Sequence, residues 1–201
     1  MSSREEILGR LVSLKSDTTI GLSIRKMSDI SIPTFDTDHI GDPIEKFKEV
    51  LDELHTEVLE VNNLQDIAAF VLDKYSGKRI VSAIAIEGLG DSETWKTLDP
   101  HDLQDVEFAL FEGTLGVAEN GAIWLSEAQM GQRVAPFICQ RLGIIVKKEN
   151  VVPLMHHAYK ALEITDMGFG TFISGPSKTA DIEQSLVIGA HGSRELFVFL
   201  V

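Results

Sequence analysis

Two continuous apolar runs constrain the fold of this chain most strongly. They are RIVSAIAI at residues 79–86 and LFVFLV at residues 196–201. A strand without alternating polar residues is buried on both faces, as in a parallel sheet covered by other layers. Helical patterns alternate with strand patterns along the rest of the chain, which is typical of α/β proteins. We therefore predict a single globular α/β domain with a largely parallel sheet flanked by helices.

Start signals and apolar spacing predict the helices. A capping-box pattern at residues 3–6 predicts a helical N-terminal segment, and Asp42-Pro43 predicts the start of a second helix. The apolar stripe of that second helix comprises Ile44, Phe47, Leu51, Leu54 and Val58. Further helices are predicted at residues 64–75 and 153–162, and a short one at 180–186. The predicted strands are 79–86, 106–111, 115–118, 121–125, 142–147, 168–173 and 195–201.

Composition limits the cellular setting. The chain has 201 residues, of which 44% are hydrophobic, enough for one sizeable core. No apolar run approaches the ~20 residues of a membrane span, and the N-terminus lacks the apolar segment of a signal peptide. A single cysteine, Cys139, allows no internal disulfide and no Cys-x-x-Cys site, and it resembles a small buried hydrophobic residue. We expect a cytoplasmic protein with no membrane span, no metal and no cofactor of its own.

The net charge of −13 is concentrated in one region. Residues 29–66 carry eleven Asp or Glu and two Lys or Arg. Because nucleic-acid affinity depends on cations that neutralise phosphates, we expect no nucleic-acid partner. The acidic region is either a solvated helix face or a surface that docks a basic protein. In the second case the protein could be an interaction module with no small-molecule site.

The densest group of polar residues is GTFISGPSKTADIEQSLVIGAHG at residues 170–192. It holds four glycines, five Ser or Thr hydroxyls, one lysine, two carboxylates and one histidine between two apolar strands. Loops at strand ends commonly carry binding and catalytic groups. Residues 175–179 precede the predicted helix at 180–186, so its N-terminus could bind an anion such as phosphate or carboxylate. Alternatively, Ser177 caps that helix after a tight turn, and spacing leaves both readings open.

A histidine between glycines adds a second candidate in this block. His191 lies between Gly189 and Gly192, where a backbone or ligand can approach closely, and imidazole titrates near neutrality. The predicted anion- or ligand-binding residues are Ser174, Gly175, Ser177, Lys178, Thr179, Asp181, His191 and Gly192.

A carboxylate beside a sharp turn forms another candidate. Asn120-Gly121 between two apolar strands predicts a hairpin, with Glu119 at or beside its turn. Glu119 is either an ordinary exposed acid or a nucleophile or base presented at the tip of the sheet.

The turn at Glu119, followed along the chain by the polar block at residues 170–192, resembles the LUD-domain family, the lactate-utilization C proteins of bacteria. The segment from Ser174 to Glu183 matches the family's Ser-Gly-Pro-Ser-x-Thr-Ala-Asp-Ile-Glu, and Gly189 to Gly192 match its Gly-x-His-Gly. Ser193 replaces the usual proline, and Ala118-Glu119-Asn120-Gly121-Ala122 replaces Ala-Glu-Thr-Gly-Thr. The resemblance covers most of residues 78–201.

This resemblance implies a fold similar to the NagB/RpiA/CoA-transferase-like class. It implies a LUD domain at residues 63–201, with residues 1–62 as a helical and extended segment packing on it. It also implies a role in oxidising L-lactate to pyruvate beside iron–sulfur partner subunits, with a site that binds a small organic anion or a partner. The iron–sulfur clusters would have to lie in those partners, since this chain has one cysteine.

The same fold class contains a different chemistry. Ala118-Glu119-Asn120-Gly121 is similar to the Ser-Glu-Asn-Gly of class I CoA-transferases. In those enzymes the glutamate attacks a thioester and accepts the acyl group. This similarity implies an acyl-CoA transferase or hydrolase that acts on a CoA ester, with Glu119 as the nucleophile.

Overall fold

The structure is a computed structural model that describes residues 40–162, 168–180, 186–189 and 191–201, all within the unit spanning 37–201. Its α-helices are α1 (Pro43–Glu53), α2 (Leu64–Tyr75), α3 (Glu127–Met130), α4 (Ala135–Ile138) and α5 (Met155–Ala161). Its strands are β1 (Glu57–Glu60), β2 (Ile80–Ser82), β3 (Phe108–Glu112), β4 (Leu115–Val117), β5 (Ala122–Ser126), β6 (Arg141–Val146), β7 (Val151–Val152), β8 (Gly170–Ile173), β9 (Lys178–Ala180), β10 (Leu186–Ile188) and β11 (Glu195–Leu200). The helix predicted to begin at residues 3–6 lies outside the described residues.

Helix α1 begins where the sequence predicts and ends earlier. The Asp42 carboxylate accepts a hydrogen bond of 2.8 Å from the Ile44 amide, and Pro43 occupies the first turn. After Leu54 the backbone of His55 enters the left-handed region at φ 64°, and the Thr56 amide donates to the Leu51 carbonyl. This closing geometry ends the helix. The prediction that Val58 extends the helical stripe is therefore wrong, since Val58 lies in β1.

A five-stranded parallel sheet forms the centre of the fold, which confirms the predicted α/β class. The strand order is β1-β11-β6-β3-β2, and every neighbouring pair is parallel. Strand β11 lies between β1 and β6, so that Val198 pairs with Val58 on one side and Ile144 on the other. Strand β6 has six residues, of which Arg141 is half-buried and the other five are buried, as a strand covered on both faces requires.

The two faces of this sheet pack against different layers. Alternate residues such as Phe108 and Phe199 pack with Ile67 and Val71 of α2. The intervening residues, such as Val198, pack with α1 and with residues of a second sheet. Alternation along each strand thus separates an α2 face from an opposite face.

The second sheet has four strands in the order β7-β4-β5-β8. Strands β4 and β5 form the predicted Asn-Gly hairpin, in which Gly121 has φ 67° and the Asn120 side chain accepts a hydrogen bond from the Ala122 amide. Across the described residues, no helix is long and apolar enough to cross a membrane.

Two predicted elements differ from the structure. The strand predicted at 79–86 is limited to Ile80–Ser82, because the Ser82 hydroxyl bonds both the carbonyl and the amide of Ile84 and turns the chain away. The short helix predicted at 180–186 is wrong at both ends, because Ala180 lies in β9 and Leu186 lies in β10, and these two strands form an antiparallel pair. Residues 181–185 lie outside the described residues. Thr179, Val187 and Ile188 are β-branched residues that favour strands.

Candidate functional site

A cleft of about 270 Å³ lies beside the amino ends of β6 and β11. These two strands are parallel neighbours, and Glu195 lies opposite Arg141, so the segments that precede the two strands lie side by side. The Arg194 amide donates 2.9 Å to the Gln140 carbonyl and joins the two segments. The cleft is lined by Pro136, Phe137, Leu142, Phe172, Ile173, Ser174, Gly175, Pro176, Ser177, Lys178, His191, Gly192 and Ser193.

Main-chain hydrogen bonds hold together the two loops of the cleft, residues 174–177 and 189–193, which lie on either side of β9 and β10. The Ser177 amide donates 2.9 Å to the Ser193 carbonyl, and the Gly189 amide donates 3.0 Å to the Ser177 carbonyl. A side chain at Gly192 would place its Cβ 3.0 Å from the Ser177 Cβ, so glycine permits this close approach. Ser193 contributes through its carbonyl, which proline also possesses. The departure from the family motif at Ser193 therefore preserves this contact.

The polar side chains of the cleft suit an anion. Lys178 and His191 are exposed, and Ser177 is half-buried between them and the buried Pro176. An ammonium group, an imidazole and hydroxyls donate well to carboxylate or phosphate oxygens. The opposite wall is apolar and includes Phe137, Leu142 and Phe172. The cleft can therefore hold a small anion with an apolar part.

Most of the predicted ligand-binding residues come together in this cleft. Ser174, Gly175, Ser177, Lys178, His191 and Gly192 line it. Thr179 lies in β9, where its backbone pairs with Val187, and Asp181 lies outside the described residues. Residues 175–179 do not lead directly into a helix as predicted, since Lys178–Ala180 form β9. An anion bound in the cleft would contact the side chains that line it.

Glu119 lies next to the cleft and does not line it. Its carboxylate accepts a hydrogen bond of 2.9 Å from the Met155 amide, the first residue of α5, and its own amide donates to the Pro153 carbonyl. A carboxylate at a helix N-terminus satisfies an unpaired amide and complements the helix dipole. The Ser174 hydroxyl donates 2.7 Å to the Asn120 carbonyl, which ties the hairpin turn to the cleft.

Sequence reasoning missed the residues contributed by α4 and by the strand interiors. Pro136 and Phe137 precede β6 and reach the cleft because β6 is the neighbour of β11. Phe137 retains 39% of its surface exposed and forms part of the apolar lining of the cleft. No local pattern identifies it, because its role depends on strand order.

Cys139 lies close behind this wall and is chemically inert. It is buried as predicted, with its sulfur 3.7 Å from the Pro136 carbonyl oxygen. Burial raises the pKa of its thiol to about 12, so the reactive thiolate does not form near neutral pH. A nucleophilic or metal-binding role for Cys139 is incompatible with this setting.

Comparison with known proteins identifies the family. The LUD domain family model matches residues 100–201. A "Lactate utilization protein C" from an Exiguobacterium species is 26% identical over 177 residues, covering 79% of this chain and 77% of that protein. Another protein of that name, from Bacillus pumilus, is 40% identical over 82 residues, covering 38% of this chain and 34% of that protein.

A solved structure shows the same fold. The crystal structure of a DUF162 family protein from Deinococcus radiodurans superimposes with a TM-score of 0.65 at 18% identity, covering 84% of this chain and 99% of that chain. The family match includes every residue that lines the cleft. Since this match extends over half of the sequence, the chain belongs to the LUD domain family.

Proposed function

We propose that this protein is a lactate-utilization subunit that takes part in the oxidation of L-lactate to pyruvate together with iron–sulfur partner subunits. The cleft carries this proposal. Its polar residues lie in the region matched by the LUD family model, and similar proteins are named for lactate utilization. We infer that the cleft binds a small organic anion or a carboxylate of a partner subunit.

The side chains of the cleft support binding of a carboxylate. Lys178 supplies a positive charge in a protein whose net charge is −13, and the hydroxyl of Ser177 supplies a neutral donor. His191 can donate to the same anion or exchange a proton with a neighbouring hydroxyl. Phe172 and Leu142 would contact the carbon skeleton. This arrangement binds and orients an acid, and the proposal assigns no catalytic step to this subunit alone.

Oxidation of lactate requires an electron acceptor. Conversion of the secondary alcohol to a ketone releases two electrons and two protons. Iron–sulfur clusters are held by several cysteine thiolates, whereas this chain has one cysteine, which is buried and whose thiol pKa is raised. The clusters that accept the electrons are therefore assigned to partner subunits, and this chain supplies binding or assembly.

Growth on L-lactate tests the role in lactate utilization. Deleting the gene should abolish or strongly slow growth on L-lactate while growth on pyruvate continues, and the wild-type gene should restore it. Normal growth of the deletion strain on L-lactate would contradict the proposal.

A pair of lysine variants tests the cleft itself. The variant Lys178→Gln should fail to restore growth on L-lactate, because it removes the cation of the cleft. The control Lys78→Gln removes an exposed lysine in the turn after α2 and should restore growth fully. Both proteins should accumulate equally on immunoblots. Equal growth of the two strains would show that Lys178 is not needed at the proposed site. The deletion strain would still test the role in lactate utilization separately.

A further inference from the structure

A second cavity, of about 280 Å³, lies at the opposite edge of the five-stranded sheet from the cleft. Ile84, Glu112, Lys147 and Val201 line it, and they lie at or just beyond the carboxyl ends of β2, β3, β6 and β11. Asn62 and Leu64, in the connection from β1 to α2, complete the same cavity. It thus adjoins the carboxyl ends of all five parallel strands.

The connections that leave the sheet diverge at this cavity. The chain after β1 turns to α2 on one face of the sheet, whereas the chain after β3 and β6 turns to the second sheet on the other face. In open α/β sheets, ligands bind in the crevice outside the carboxyl ends of the strands, where such connections separate. The position of the cavity therefore indicates a ligand site independent of the cleft.

The lining of the cavity divides into an apolar floor and a charged rim. Ile84, Ile145 and Val201 provide the floor, and the exposed Leu64 adds an apolar side chain beside it. At the rim, the Lys147 Nζ lies 3.9 Å from the Glu112 Oε1, and about half of each side chain is exposed. By contrast, the next lysine, Lys148, is 2.6 Å from Glu60. Because the Lys147 Nζ and the Glu112 Oε1 are too far apart for a hydrogen bond, Lys147 can donate and Glu112 can accept a further hydrogen bond.

A ligand that matches this rim carries an anion and a donor side by side. A simple carboxylate would satisfy Lys147 and meet repulsion from Glu112, whereas a carboxylate with a neighbouring ammonium or hydroxyl group satisfies both. A volume near the lower end of the about 300–1,000 Å³ usual for ligand pockets suits a compact molecule. The apolar floor suits a branched or aromatic side chain.

We propose that this second cavity binds an apolar 2-amino or 2-hydroxy acid. Its carboxylate contacts Lys147, its 2-substituent donates to Glu112, and its side chain packs on Ile84, Ile145 and Leu64. The proposal does not depend on the role in lactate utilization, because it concerns different residues at the other edge of the sheet.

Methyl NMR of the full-length chain, labelled at isoleucine methyl groups, locates binding directly. The probes are L-leucine, 2-hydroxy-4-methylpentanoate and 4-methylpentanoate, the last of which lacks the 2-substituent. Leucine or the hydroxy acid should shift the signals of Ile84 and Ile145, whether or not the signal of Ile173 in the cleft also shifts. The stronger binder of the two distinguishes an amino-acid site from a hydroxy-acid site. Absence of shifts with all three probes, or shifts confined to Ile173, would overturn the proposal.

Variants of the rim test the assigned contacts. Lys147→Gln should weaken binding by about tenfold or more, as loss of a charge-assisted hydrogen bond predicts. The matched control Lys148→Gln changes the adjacent lysine, which pairs with Glu60, and should bind as the wild type does. Glu112→Gln should weaken binding of leucine and not of 4-methylpentanoate. Equal affinities of Lys147→Gln and Lys148→Gln, or of leucine and 4-methylpentanoate, would contradict the proposed contacts.

Discussion

Glu119 shows how a single residue can serve structure where sequence similarity points to catalysis. Its carboxylate holds the Met155 amide at the start of α5, and the turn beside it is tied to the cleft by Ser174. Only one carboxylate oxygen accepts from the Met155 amide, so the contact alone does not decide whether the other oxygen acts as a nucleophile. The helix contact alone accounts for an acidic residue at this position.

Two substitutions at Glu119 separate these roles. Glu119→Gln keeps an oxygen that accepts from the Met155 amide, so stability and growth on L-lactate should be close to wild type. Glu119→Ala should lower the free energy of unfolding by about 1 kcal/mol, the usual cost of losing a helix cap, as measured by urea denaturation. If Glu119→Gln is fully stable and yet inactive, or if acyl-CoA and borohydride modify Glu119 in the wild type, the residue is a nucleophile instead.

Strand β1 depends on ion pairs at its carboxyl end. Glu60 accepts hydrogen bonds from Lys148, 2.6 Å away at the end of β6, and from Lys48 of α1, 3.0 Å away. These two contacts, of which that with Lys148 is the stronger, lower the pKa of Glu60 from 4.5 to about 2. The lysines thus connect an edge strand to a helix and to the interior of the sheet.

The pH dependence of unfolding tests this connection. Since the pKa of Glu60 is lowered in the folded state, its stabilisation is present above about pH 4.5 and is lost as the pH falls towards 2. The melting temperature of Glu60→Gln should therefore lie below that of the wild type at pH 7, and the difference should shrink as the pH falls from about 4.5 through 2. The exposed loop variant Glu87→Gln serves as the control. A difference between Glu60→Gln and wild type that is as large at pH 2 as at pH 7 would contradict the ion-pair explanation.

Elements with local signals could be predicted, and elements fixed by distant pairing could not. Helix α2 spans residues 64–75, as apolar spacing predicts, because a helix satisfies its hydrogen bonds within one segment. The pattern at residues 180–186 also predicts a short helix, yet Ala180 lies in β9 and Leu186 lies opposite it in β10. The assignment of β4, β5, β7 and β8 to a second sheet likewise depends on partners far along the chain.

At the scale of the whole molecule, the same distinction applies to the candidate site. Ser174 to Lys178 and His191 to Gly192 could be predicted, because contiguous polar loops between buried strands are visible in the sequence. Phe137 and Leu142 could not, because only the adjacency of β6 and β11 brings them to the cleft. The cavity at the other sheet edge draws on five separate strand ends and has no motif at all.

The net charge of −13 makes the folded molecule sensitive to ionic strength. Charges of one sign repel one another more strongly when they are held together in a compact state. Raising the salt concentration from about 10 mM to about 150 mM shortens the screening length from about 30 Å to about 8 Å. The melting temperature should therefore rise with NaCl, as measured by calorimetry. A fall would mean that screened ion pairs such as Glu60–Lys148 outweigh the overall repulsion.

The position of β11 between β1 and β6 has a consequence for synthesis on the ribosome. Residues 57–60 and residues 141–146 are made long before residues 195–200, and the strand that separates them is the last of the five to emerge. A nascent chain that stops at residue 194 contains four of the five strands but lacks the partner with which β1 pairs. The sheet can therefore close only after residues 195–200 have been made, and until then the edges of β1 and β6 that pair with β11 have no strand partner.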